Sequence, residues 1–184
     1  MATGERRPTP DEVQKAAGRT VPDILAPGLR VLICGINPSL YSAAVGHHFA
    51  RPGNRMWKAL AGAGLTPRVL SPFEDADLLQ YGIGMTNLVA RATRAASDLA
   101  AEELRGGARL LAGKVARHGP RVTAVVGVSA YRTAFGKPHA RLGRQPESLA
   151  GKDVWVLPNP SGLNAHYQLP ALIEHFRSLE RALE

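Results

Sequence analysis

The chain has 184 residues, with 23 Lys or Arg against 15 Asp or Glu, giving a formal net charge of +8. A hydrophobic fraction of 45% is ordinary for a globular protein and excludes general disorder. The single cysteine, Cys34, excludes an intramolecular disulfide framework and any iron–sulfur cluster or zinc site held by several thiolates of this chain.

Residues 1–20 are charged and punctuated by Gly and Pro. They read as a flexible, weakly helical extension ahead of one domain spanning 21–184. No apolar run approaches the roughly 20 residues that cross a bilayer, and the first ten residues lack the apolar core of a signal peptide. The expected setting is intracellular, cytoplasmic and nucleoid-associated in a bacterium. Pro22 and Pro27 bracket the approach to an apolar run at 29–34, a first strand, and residues 36–49 follow as a long loop. Residues 54–60 predict a helix ending at Gly62 and Gly64, and 72–79 a short acidic helix with Pro in its first turn. Strands are predicted at 83–89, 122–126 and 153–157. Helices are predicted at 100–118, 129–135 and 170–184, the first of them stopped by Gly119-Pro120. Strands alternating with helices predict a three-layer α/β/α domain around a central, mostly parallel sheet. In such sheets ligands sit beyond the carboxyl ends of the strands. Three polar post-strand segments, 35–53, 87–98 and 159–168, therefore predict one site made of three loops.

Nine basic residues and no acidic one lie between Arg105 and Arg144, so the rest of the chain nearly cancels. The run reads either as a solvated face or as a surface that meets phosphates. The six histidines show no HxxxH or HxxH spacing, so metal ligation is not expected. No GxxxxGK[ST], GxGxxG or GxSxG pattern is present. Cys34 sits inside an apolar run, as a small buried hydrophobe does.

Directly after the first strand comes Gly35-Ile-Asn37-Pro-Ser39. Proline after Asn37 restricts it to extended backbone, which fixes the direction of its amide. An amide orients water by donating and accepting hydrogen bonds, but it is no base. By itself the pair also reads as a plain Asn-Pro turn. Phe49, in Gly46-His-His-Phe49, offers an aromatic face for a base or an ordinary core side chain. Leu163, in Asn159-Pro-Ser-Gly-Leu163-Asn164, reads as a packed residue or a wedge.

Taken together, Gly35-Ile-Asn-Pro-Ser39, Gly46-His-His-Phe49, Pro52-Gly-Asn-Arg-Met-Trp57, Met85-Thr-Asn-Leu-Val89 and Asn159-Pro-Ser-Gly-Leu163 resemble the mismatch-specific uracil-DNA glycosylase family, the group that includes the thymine-DNA glycosylases. The resemblance runs in order from about residue 23 to residue 183. It implies a three-layer α/β/α fold and a monofunctional, monomeric enzyme. That enzyme flips uracil, or a mismatched or damaged pyrimidine, out of duplex DNA and hydrolyses the N-glycosidic bond. It needs no cofactor or metal, and it hands an abasic site to downstream repair enzymes. Asn37 would position the attacking water. Phe49 would stack on the base, and Ile36 would contact its edge. Ser42 would monitor the C5 substituent, and His48 and Asn87 would line the pocket. Gly162, Leu163 and Asn164 would enter the duplex, Leu163 filling the gap.

The chain departs from the family pattern at Ser39, where Gly is common, and at Asn164-Ala165 after the wedge. Asp98, which follows Asn87 in the loop after the second strand, is a second catalytic candidate. The alternative reading is a non-catalytic or weakly catalytic mismatch-binding protein, and a flavodoxin-like nucleotide-binding domain is a weaker one.

Overall fold

The computed structural model describes residues 5–184, so Met1 to Gly4 of the N-terminal extension lie outside it. Four parallel strands form the centre: β1 (Val31–Gly35), β2 (Ile83–Asn87), β3 (Val122–Val126) and, at the far side, β5 (Asp153–Leu157). A two-residue strand, β4 (Gly143–Arg144), pairs antiparallel with β5, and the order is β2-β1-β3-β5-β4. The four predicted strands lie within two residues of the expected bounds. A two-residue strand such as β4 is too short to carry a periodic pattern.

Side-chain alternation builds two cores from one sheet. Val31 and Ile33 of β1, Ile83 and Met85 of β2 and Ala124 of β3 face α3 (Met56–Ala63), the 3₁₀ run Pro72–Tyr81 and α6 (Leu169–Leu183). Leu32 and Cys34 of β1, Val125 of β3 and Val154 of β5 face α4 (Ala101–His118) and α5 (Val128–Phe135). This is the three-layer arrangement that the element order predicts. Cys34 is fully buried, and desolvation pushes its thiol pKa far up, so it is an inert core side chain.

Two further helices are short. The expected loop 36–49 contains α2 (Leu40–Val45), capped by Ser39, whose Oγ accepts the Ser42 N–H, and ended by Gly46 at φ +78°. Within the N-terminal extension, α1 (Pro10–Gln14) has a capping box between Thr9 and Glu12. The extension is seated by a third, small cluster in which Ala16 meets Ala43 of α2 and Ala92 of the loop after β2. Among the described residues no helix is long and apolar enough to cross a membrane.

Candidate active site

A cavity of about 220 Å³ lies beyond the carboxyl ends of β1, β2 and β5. It is small beside drug-sized pockets of roughly 300–1,000 Å³ and of a size for one flat ring. Ile36, Asn37, Ser42, His48, Phe49, Asn87 and Leu163 all line it, so the fold gathers three loops into one site. Gly162, Asn164 and Asp98 are not among its lining residues.

Asn37 is the most constrained polar group. Its Nδ2 donates to Thr93 Oγ1 at 2.7 Å and to the Arg91 carbonyl at 3.0 Å. Both amide protons are consumed, and Oδ1 has no hydrogen-bond partner among the described residues. Thr93 Oγ1 passes its own proton to the Ala95 carbonyl at 2.7 Å, which fixes it as the acceptor for Asn37. Arg91 is itself held by Glu103 of α4, at 2.6 and 3.0 Å. That guanidinium, with the Ala100 N–H, lowers the Glu103 carboxyl to a pKa of about 2. The side chain of Asn37 is thus a fixed acceptor backed by the first turn of a long helix.

Phe49 occupies the left-handed region at φ +50°, unusual for a bulky residue and a form of strain that collects at functional sites. The buried Trp57 restrains it by donating Nε1–H to the Phe49 carbonyl at 3.2 Å. Its ring tip and the Asn87 amide leave no room beneath them. A Cβ on Gly35 would lie 2.5 Å from Asn87 Oδ1 and 3.2 Å from Phe49 Cζ. Gly35 therefore permits the ring and the amide to converge. The Asn87 side chain has no protein hydrogen bond among the described residues, so it offers donors and an acceptor to the cavity.

His48 is buried, and its Nε2–H donates to the Pro22 carbonyl at 2.8 Å. Desolvation pushes its pKa below the ordinary value of 6.5, so the ring is neutral near pH 7. Asp75 orders this loop, accepting from the His48 N–H at 3.0 Å and pairing with His47 Nδ1 at 3.0 Å. Ser42 is buried, and its Oγ accepts the Ala50 N–H at 3.0 Å and lies 3.1 Å from Ser39 Oγ. Ser39 caps a helix here, so a serine at that position serves the fold. The half-buried Ile36 side chain packs against the α4–α5 core while lining the cavity.

Leu163 stands at the tip of the loop after β5 with 74% of its surface exposed, so the packed alternative does not hold. The loop hangs from Arg55. Its guanidinium donates to the carbonyls of Ser161 at 2.6 Å, Asn164 at 3.0 Å, Pro160 and Tyr167. Gly162 presses against the 51–54 turn, where an added Cβ would lie 2.7 Å from the Gly53 carbonyl. Asn164 spends its side chain inside the loop, donating to the Asn159 carbonyl and accepting the His166 N–H. Asp98 is exposed and turned back, its Oδ2 accepting the Ala95 N–H at 3.1 Å. This carboxylate is a turn cap and does not line the cavity.

The model of the uracil DNA glycosylase superfamily matches residues 22–184. The chain belongs to the uracil DNA glycosylase superfamily. Its activity class is therefore hydrolysis of N-glycosidic bonds, and its substrate is DNA. Among solved structures, an NMR structure of a candidate uracil DNA glycosylase from Methanosarcina acetivorans shares the fold. It is 21% identical with a TM-score of 0.61, over 89% of this chain and 98% of that one.

Three features of this glycosylase escape the sequence reading. Thr93 and Arg55 act across more than fifty residues of chain and carry no local signature. Residues 16–24 form a strap along the site: Gly18 and Arg19 bond the backbone of Ala92, Pro22 holds His48, and Val21 lines the cavity. Asp23 fastens this strap through Thr86 Oγ1 at 2.7 Å and Lys114 at 2.6 Å. The third feature is the placement of charge. Seven of the nine basic residues between 105 and 144 are engaged. Lys114 meets Asp23, Lys137 meets Glu147 and Arg144 meets Asp153; Arg105 and Arg109 share Glu102, and Arg121 and Arg132 hold backbone carbonyls. The two without such a partner among the described residues are Arg117 and Arg141. The cations at the cavity mouth are Arg51 and Arg94, and no lining residue is acidic.

Proposed function

We propose that this glycosylase is mismatch-specific and removes uracil from G·U pairs in duplex DNA by turning the nucleotide into the cavity. The observation that carries the reading is the pinned amide of Asn37: with both N–H groups spent, Oδ1 can only accept, which holds a water by its proton. The extruded base lies against Phe49, and the free amide of Asn87 reads its edge. The wedge Leu163 fills the space left in the duplex. Hydrolysis runs through an oxocarbenium-like sugar, as in other glycoside cleavages. A departing uracil anion stabilised by fixed donors gains roughly 3 kcal/mol per donor.

The absence of any carboxylate among the lining residues sets the expected rate. Water held by an amide is weakly activated, so turnover is slow. Extrusion costs a few kcal/mol and least for a mispaired base, so U opposite G is cut faster than U opposite A. The same absence favours a second reading, a mismatch-binding protein with little chemistry. Excess enzyme on labelled duplexes carrying G·U, A·U, unpaired U or G·T, followed by alkali, separates the two. We expect strand breaks at the uracil within hours, G·U first. No alkali-labile site in any duplex leaves the binding reading.

A further inference from the structure

Beside the cavity, across the 51–54 turn, runs a groove between α2, α3 and the 69–73 segment. Phe49, Arg51 and Asn54 line both, so the two are continuous. Four basic residues, Arg6, Arg7, Arg51 and Lys58, line the groove against one acidic residue, Glu5. Arg6 is occupied by Glu12. Arg7, Arg51 and Lys58 are exposed and have no salt bridge among the described residues, whereas most cations of the 105–144 stretch are engaged. The half-buried ring of Tyr41 adds a flat face to the same wall.

We infer that this groove is the track for the sugar–phosphate backbone of the strand that carries the extruded nucleotide, with Arg51 at the cavity mouth and Lys58 and Arg7 on phosphates farther along. The inference rests on the glycosylase reading for the position of the nucleotide, but not for the groove's charge. A cationic groove with an aromatic wall is how proteins follow a nucleic-acid backbone without reading sequence. Clustered free cations in a concave surface also focus the field more strongly than paired ones spread over a convex one. The N-terminal extension, which lies outside the residues matched by the family, thereby contributes Arg7 to substrate binding.

Binding of the full-length protein to a fluorescent duplex carrying a tetrahydrofuran abasic analogue opposite G, titrated over a range of salt concentrations, tests this. Each phosphate contact contributes about 0.9 to the slope of log K against log salt. Lys58→Ala and Arg7→Ala should each reduce the slope by about one, and the double variant by about two. Arg117→Ala, on an exposed cation of the 105–144 stretch, should keep the parent slope. Parent slopes in both groove variants, or an equal loss in Arg117→Ala, overturn the track. The two readings fail separately. Reduced groove slopes in a protein that never cuts a G·U duplex keep the track and remove the uracil reading. Cutting with unchanged slopes does the reverse.

Discussion

The site is framed by two copies of one tripeptide, Asn37-Pro38-Ser39 after β1 and Asn159-Pro160-Ser161 after β5, and the fold uses them in opposite ways. In the first, the Asn amide sends both protons to a distant loop and keeps its oxygen free, and the Ser caps a helix. In the second, Asn159 Oδ1 is consumed locally by the Ser161 N–H at 2.9 Å. Ser161 Oγ accepts from Leu163 two residues on, in a turn that contains Gly162. The residues after each serine decide the outcome. Leu-Tyr-Ser-Ala-Ala continues as a helix, whereas Gly-Leu-Asn turns and exposes its leucine. The first loop is held by several independent contacts over its length, the second chiefly by one guanidinium. The first is built to hold an atom still and the second to present a side chain.

That contrast can be broken at each loop. Arg55→Ala should have the largest effect, because several loop carbonyls lose a charged donor together. We expect a loss of about 2–3 kcal/mol, a melting temperature lower by about 6–8 °C, and faster amide exchange confined to residues 158–167. Unchanged exchange there would show that the loop holds itself. Thr93→Val removes one of the two anchors of Asn37. Single-turnover cleavage should slow by about tenfold with DNA affinity kept, and Thr93→Ser should restore it. The smallest effect concerns His48. Its folded pKa lies below the unfolded value of about 6.5, so the unfolded chain takes up a proton that the buried ring refuses. Stability contributed at this site is complete above pH 6.5 and declines as pH falls towards the folded pKa, by at most about 1.4 kcal/mol per unit. Melting curves of the parent and of His48→Gln should therefore converge by a few degrees between about pH 7.5 and 5.5. Parallel curves would remove the titration from the account.

Most of the fold was legible because strands and long helices announce themselves within a window of a few residues. Val31 to Gly35 is one apolar run, and Leu104, Leu111 and Val115 fall on one face of α4. The helix α2 was not, since it has only six residues and its cap Ser39 follows an Asn-Pro pair that also reads as a turn. The cavity residues were legible through short motifs at strand ends. The contacts that hold them were not, because Arg55 reaches residues more than a hundred positions away. The partners of the charged run were not legible for a related reason. Of the nine cations between 105 and 144, Lys114, Lys137 and Arg144 pair with Asp23, Glu147 and Asp153, and Asp23 lies more than ninety residues from its partner. Asp98 shows the same limit, since its place in the loop after β2 said nothing of its turn back to Ala95.

The central claim is that the Asn37 carbonyl oxygen holds the attacking water. It is tested most directly by Asn37→Ala, assayed for single-turnover cleavage and for affinity on one G·U duplex. The account predicts a rate lower by roughly 10²–10³-fold, the cost of losing one preorganised group in comparable sites, with affinity kept within about threefold. A variant that cuts as fast as the parent would place the water elsewhere and contradict it.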